Sequence, residues 1–357
     1  MAEIENIEAP SNPEKPQRSI WISASVFIVL SVAVPYLLYT QLYDPSLSYD
    51  DIYASIEINY RGLLMILCLL VLYFLFDGLR LLFTLKSLNQ TISLASITPL
   101  VFINLCISNI TPMATGGGIA QVLYLKNKGI KIGKATAATT LRTLQAVFFI
   151  FIPTPLLLLL YPAFNNIPLL DDIGVYLGIF AFLYVFTFFI IIFKSRWILA
   201  LLASILNAFV WLNLVKQSKK KRLLYRLTYE VVHFNHGFRY FFTSNHYYLL
   251  LSLVSTGAFL LCLFSFPAVI IYTLGYSVDY LNSLALLTVT TFIMYFSPSP
   301  GASGFAEGIF GVFFSQILPL PVLIVSILLW RFFTIYLGMI IGIPYTYKLF
   351  KGDYKHE

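Results

Sequence analysis

The chain has 357 residues, 59% of them hydrophobic and only 11% charged, with a mean hydropathy of +0.83 and a formal net charge of +7. Soluble domains carry about 25% charged residues, so this composition excludes an ordinary soluble enzyme and indicates an all-α polytopic membrane protein. The positive balance reads as a topology signal. A nucleic-acid role would need a basic soluble module, and the sequence offers none. Cys68, Cys106 and Cys262 fall in apolar runs without metal or redox spacing, so neither a metal nor a cofactor is expected.

In chain order, a polar tail at residues 1–19 leads to a first span at 20–42, long enough to cross a bilayer and lacking a cleavage site. A loop with Asp44, Asp50, Asp51 and Glu57 precedes a second span at 62–83, which ends at Lys86. Residues 94–107 enter a broken segment whose tail carries Lys126, Lys128, Lys131 and Lys134. A long span at 135–161 follows, then a loop with Asp171 and Asp172, then a span at 174–193. Residues 194–239 hold nine Lys/Arg against the single Glu230, and 194–245 is expected to lie as a basic interfacial segment on the cytoplasmic leaflet. A span at 247–272, a second broken segment entered at 281–295 and a last span at 322–349 complete a transmembrane domain over 20–349, before a tail at 350–357. Excess Lys/Arg marks cytoplasmic loops. Loops on one side are basic and loops on the other acidic or neutral, which puts both termini in the cytoplasm of a multi-pass plasma-membrane protein. Hydropathy gives about eight helices, two of them the broken segments.

The broken segments carry the strongest pattern. ISNITPMATGGGIAQ, residues 107–121, sits among apolar residues yet contains helix breakers. Pro112 lacks a backbone donor, and Gly116, Gly117 and Gly118 would free the backbone for non-helical angles. Asn109, Thr111, Thr115 and Gln121 bring polar side chains to membrane depth. Non-helical backbone is tolerated there only when buried in protein or lining a wet cavity. A second copy, YFSPSPGASGFAE, spans residues 295–307. Aligning Pro112 with Pro298 matches a Ser/Thr-Pro step, small residues, and a polar residue on a new helix, Gln121 or Glu307. An arginine follows each copy inside an apolar run, Arg142 and Arg331. The loop charges make the first hairpin enter from the cytoplasm and the second from outside. Inverted repeats that meet through discontinuous helices are the signature of secondary transporters.

An intramembrane arginine costs at least about 2.5–3.5 kcal/mol on insertion scales and usually faces the protein interior. Arg142 and Arg331 either grip a phosphate-bearing headgroup bidentately or tie down freed carbonyls. Glu307 either pairs with Arg331 or contacts substrate, and Asp77 and Arg80 are spaced to pair with each other. Half-helix amino termini after Gly116–Gly118 or near Gly301 favour an anion. Ser297, beside Pro300 and Gly301, completes the candidate substrate-binding set, although such serines commonly satisfy freed backbone groups. No nucleophile pair, carboxylate pair or nucleotide loop appears, so no catalytic residue is assigned.

TPMATGGGIAQVLYLKNKGI with the following TTLRTL, and SPSPGASGFAEGIFGVFF with the following WRFF, resemble the lysylphosphatidylglycerol synthase transmembrane-domain family. That family includes the flippase half of the multiple peptide resistance factor. The resemblance runs from about Leu94 to the end. Where relatives often read Gly-Gly-Gln-Pro or Gly-Gly-Glu-Pro, this chain has Gly117-Gly118-Ile119. The resemblance implies translocation between leaflets of a phospholipid, an aminoacylated phosphatidylglycerol or a polyprenyl-phosphate lipid. Membrane lipids with anionic headgroups would then be the partners. In full-length relatives a cytoplasmic domain attaches lysine to phosphatidylglycerol; nothing of that kind follows Lys351 here, so lysyl transfer by this chain is not expected. Two alternatives stay open. One is a membrane component that serves a separate lysyltransferase in lipid modification and cationic-peptide resistance. The other is a small-anion transporter. The sequence gives no oligomeric state.

Overall fold

The structure, a computed structural model, describes residues 57–160 and 245–352 without interruption, with isolated positions elsewhere. The expected spans at 20–42 and 174–193 and the basic segment at 194–245 lie outside these stretches. Among the described residues every regular element is helical: α1 (Tyr60–Ser87), α2 (Leu94–Ile110), α3 (Thr115–Asn127), α4 (Ile132–Phe151), α5 (Pro153–Leu160), α6 (His246–Thr273), α7 (Tyr280–Met294), α8 (Phe305–Phe314), α9 (Leu320–Arg331) and α10 (Leu337–Lys351). A π-helical turn, Phe332–Tyr336, joins α9 to α10.

Among the described residues, four apolar helical stretches are long enough to cross a membrane: Tyr60–Ser87, Ile132–Leu159, His246–Thr273 and Leu320–Lys351. At 1.5 Å per residue, the 28 residues of α1 or α6 reach about 42 Å, more than a hydrocarbon core of about 30 Å. Short polar side chains start these helices. Asn59 accepts from Arg61 N at 3.0 Å, and Asn245 accepts from Tyr247 N at 3.1 Å. Ser93 caps α2 and Asp279 caps α7 in the same way.

The order repeats. A long helix, a two-limbed hairpin and an interrupted span occur once as α1, α2–α3 and α4–α5, and again as α6, α7–α8 and α9–α10. The 17 residues of α2 and 15 of α7 fall short of the roughly 20 needed to cross a bilayer. The long helices α1 and α6 lie antiparallel. Asn59 N donates to Thr273 O at 2.8 Å at one end, and Thr84 and Ser252 exchange a hydroxyl bond of 2.7 Å at the other. The hairpins are swapped across this pair. The ring of Phe102 on α2 stacks on Tyr345 of α10, and that of Phe292 on α7 meets Phe151 of α4. Gly338 and Gly342 make the first contact close, because a Cβ on either would strike α2 at Leu105 or at the Phe102 carbonyl.

Two apolar cores result. One gathers Phe266, Phe292, Phe310, Phe314 and Trp330 around the second hairpin. The other gathers Leu85, Leu100, Ile103, Tyr124 and Leu141 around the first. On α1 the first of these cores ends at Tyr73 and the other begins at Leu81; on α4 the boundary lies between Leu141 and Ile150. Asp77, Arg80, Arg142 and Gln145 occupy that gap and are buried.

The hairpin tips meet, and they correct the expected register. Pro112 forms an antiparallel bridge with Pro300, not Pro298. Proline has no N–H, so the residues on either side must carry the pairing. Each proline is followed by two left-handed residues, Met113 (φ 53°) and Ala114 (φ 54°) in one hairpin and Gly301 (φ 57°) and Ala302 (φ 52°) in the other. In this register Arg142 follows its proline by 30 residues and Arg331 by 31, and Glu307 corresponds to Ile119 rather than to Gln121. The GGG run is also corrected. It lies inside α3, where Gly116 and Gly117 serve close packing rather than non-helical angles. A Cβ on Gly116 would come 2.6 Å from Thr111 Cγ2, and one on Gly117 would overlap the Ser108 hydroxyl. The first half-helix therefore begins at Thr115, ahead of the glycines.

Candidate functional site

The residues singled out in the sequence separate into a first hairpin tip, a second hairpin tip, and a charged layer between the two cores. At the first tip, Asn109 Nδ2 donates to Leu105 O at 2.8 Å, and Thr111 Oγ1 donates to Ile107 O at 2.8 Å while accepting from Gly116 N at 3.1 Å. Thr115 Oγ1 donates to Pro112 O at 3.1 Å. These side chains satisfy backbone freed by the break. Pro112, Met113, Ala114 and Thr115 stay exposed, whereas Gly117 and Gln121 are buried. Gln121 Nε2 has no hydrogen-bond partner.

The second tip is closed. Glu307 Oε2 accepts from Gly304 N at 2.7 Å, across the first turn of α8. Arg331 Nε lies 2.7 Å from Glu307 Oε1, close enough for an ion pair but not aligned as a hydrogen bond. Arg331 Nη2 donates to Gly301 O at 2.8 Å and reaches Ser303 Oγ at 3.2 Å. Ser299 Oγ donates to Ser303 O at 2.8 Å and meets Ser297 Oγ at 2.8 Å. Ser297, Pro300, Gly301 and Ser303 are buried, and Arg331 is 1% exposed, its guanidinium 5.7 Å from the Trp330 ring, which in turn stacks on Phe310. Of the two roles open to Arg331, tying down freed carbonyls is the one this geometry displays. Its charge is matched by Glu307, so the second tip is neutral.

The charged layer is not neutral. Asp77 Oδ1 receives Arg80 Nε at 2.7 Å and Arg142 Nη2 at 2.5 Å. Two guanidiniums share one carboxylate, and among the described residues no other carboxylate pairs with either. Arg80 also lies 3.8 Å over the Phe259 ring, a cation–π contact that recovers part of its lost hydration. Arg142 Nε is buried without a hydrogen-bond partner. Below the arginines runs a polar network. Ser252 Oγ and Thr256 Oγ1 each lie 2.9 Å from Gln145 Oε1, and Ser252 Oγ also lies 3.1 Å from Arg80 O. Gln145 Nε2 is left without a partner.

Arg142 thus joins Asp77, 65 positions away, rather than any residue of its own hairpin. Gln145, Ser252 and Thr256 were not candidates from the sequence. Their signal is spacing: Gln145 is three residues after Arg142, and Ser252 and Thr256 are four apart on otherwise apolar α6. Among the described residues no cluster of His, Cys, Asp and Glu could hold a metal ion, and all three cysteines are free thiols.

Residues 20–342 match the family model described as the lysylphosphatidylglycerol synthase TM region. The chain is also 24% identical over 300 residues to a UPF0104 membrane protein of Archaeoglobus fulgidus, covering 83% of this chain and 89% of that one. With two inverted-type hairpins, four membrane-length stretches and a match over most of its length, this chain belongs to the lysylphosphatidylglycerol synthase transmembrane-region family.

Proposed function

We propose that the protein moves an anionic-headgroup lipid between the leaflets of the plasma membrane. The observation that carries this is the meeting of two half-length hairpins at Pro112 and Pro300, in a molecule that also holds a buried layer with more positive than negative charge. Discontinuous helices that end inside the bilayer expose backbone groups that a moving polar headgroup can use. The arginines supply charge and planar donors for a phosphate. The hydrocarbon chains need no protein counterpart and remain in the membrane. In this reading both termini face the cytoplasm, where the loops are basic, and no catalytic residue is involved.

The test is reconstitution of the purified protein into phosphatidylglycerol-containing vesicles with a trace of headgroup-labelled lipid. Label initially protected in the inner leaflet should become accessible to an external quencher faster than in protein-free vesicles. Arg142→Lys, checked for an unchanged elution profile, should slow that exchange. Equal rates with and without wild-type protein sink the proposal.

A further inference from the structure

We infer that the layer formed by Asp77, Arg80, Arg142 and Gln145 is a binding site for one phosphate monoanion, the phosphodiester of a lipid headgroup or its free inorganic equivalent. The inference deepens the translocation reading and rests on it for the lipid as source. Two independent observations point to a ligand. The first is charge: Arg80 and Arg142 both contact Asp77 Oδ1, leaving one positive charge over. An unbalanced ion in a buried setting costs several kcal/mol, so a layer of this kind is stable when a single anion joins it. The second is geometry. Arg142 Nε and one end of the Gln145 amide, three residues apart on one face of α4, are without partners, and the two residues are 5% and 4% exposed. Buried donors are nearly always satisfied. A phosphate offers several acceptor oxygens and one negative charge, which meets both requirements together.

The orientation of Gln145 supports the same conclusion. One end of its amide lies 2.9 Å from the Ser252 and Thr256 hydroxyls, which fixes the side chain and leaves the other end without a partner. The layer is assembled from α1, α4 and α6. Arg331 also has donors without hydrogen-bond partners, Nε and Nη1, but its charge is cancelled by Glu307, so that pair leaves no charge for an anion to balance.

Arg142→Ala would strip Asp77 of a partner and mix binding with folding. Gln145→Glu avoids this. It keeps the acceptor for Ser252 and Thr256, removes the free donor and cancels the excess charge. The experiment is thermal unfolding of the full chain in dodecyl maltoside, titrated separately with dioleoylphosphatidylglycerol, dioleoylglycerol and sodium phosphate. Phosphatidylglycerol should raise the unfolding midpoint of the wild type and dioleoylglycerol should not. Gln145→Glu should weaken the apparent affinity by at least about tenfold, the loss expected of a charge-assisted bond. Asp77→Asn, which adds to the excess charge, should respond at lower lipid concentration than the wild type. Sodium phosphate acting alone, with the same sensitivity to Gln145→Glu and no response to the lipid, keeps the site and removes the lipid as its occupant. Unaltered responses in Gln145→Glu overturn the site, and vesicle scrambling that persists in that variant shows that translocation does not depend on it.

Discussion

The two hairpins share a register and a turn, yet they are held in opposite ways. In the second, everything that closes the tip is local. Arg331 reaches back to Gly301 and Ser303, and Glu307 caps its own half-helix. In the first, Ile119 stands where Glu307 would be and is exposed. Thr111 does the capping, and the arginine turns away to Asp77 on another span. One repeat has spent its arginine on its own backbone; the other keeps a cation in excess of carboxylate in the layer between the cores. Duplicated architecture can thus separate a support from a site without altering the fold. Here the support is the buried, charge-matched half.

The comparison predicts that losing the support costs more than perturbing the site. Arg331→Ala leaves the buried Glu307 carboxylate and the Gly301 carbonyl unpaired, and should lower stability by about 3–5 kcal/mol. Thermal or denaturant unfolding in detergent measures it, and Glu307→Gln with Arg331→Met should recover part of the loss. At the charged layer, Gln145→Leu removes a partner of Ser252 and Thr256, whose hydroxyls keep the Arg80 and Ser252 carbonyls, so its cost should be smaller, about 1–2 kcal/mol in the same assay. A reversed order would break the distinction between the halves. The glycine triplet sharpens it from another side. Gly117→Ala pushes on Ser108 and Asn104 and should cost about 1–3 kcal/mol, whereas Gly118, with open space around it, should accept alanine with a gain of up to about 1 kcal/mol. The smallest effect is expected for Met113→Gly, which gives the first turn the residue the second has at Gly301. Relief of the left-handed strain, offset by backbone entropy, should stabilise by about 0.5 kcal/mol.

Much of this architecture is readable along the chain, because apolar runs and helix breakers are local signals. The spans expected at 62–83 and 247–272 appear as Tyr60–Ser87 and His246–Thr273, extended at their ends by capped helical turns. Both hairpins stand where the prolines indicate. The register was harder, since Ser297-Pro298 and Ser299-Pro300 match Thr111-Pro112 equally well by eye; only the turn angles and the Pro112–Pro300 bridge choose. The glycines misled for a related reason. Glycine serves both strained turns and close approach, and here Met113 and Ala114 carry the strain while Gly116 and Gly117 allow the approach. The partner of Arg142 is invisible in one dimension because it lies a whole hairpin away. The pairing of Arg331 with Glu307 was legible, since a lone acid and a lone arginine in one apolar stretch have few other choices.

The π-helical turn between α9 and α10 has a further consequence. It follows directly after Arg331, and Thr334 O there accepts the Tyr73 hydroxyl from α1 at 3.4 Å. Beyond it, Gly338 and Gly342 must face α2 for the first hairpin to seat. Helical residues advance by about 100° each, so the length of this turn sets the rotational phase between the lock on one hairpin and the cradle of the other. Substitution of the exposed Phe332 alters surface chemistry alone, but a one-residue insertion or deletion between Arg331 and Gly338 would swing α10 through more than a quarter turn. Exposed positions of this stretch should therefore tolerate changes of residue far better than the stretch tolerates changes of length.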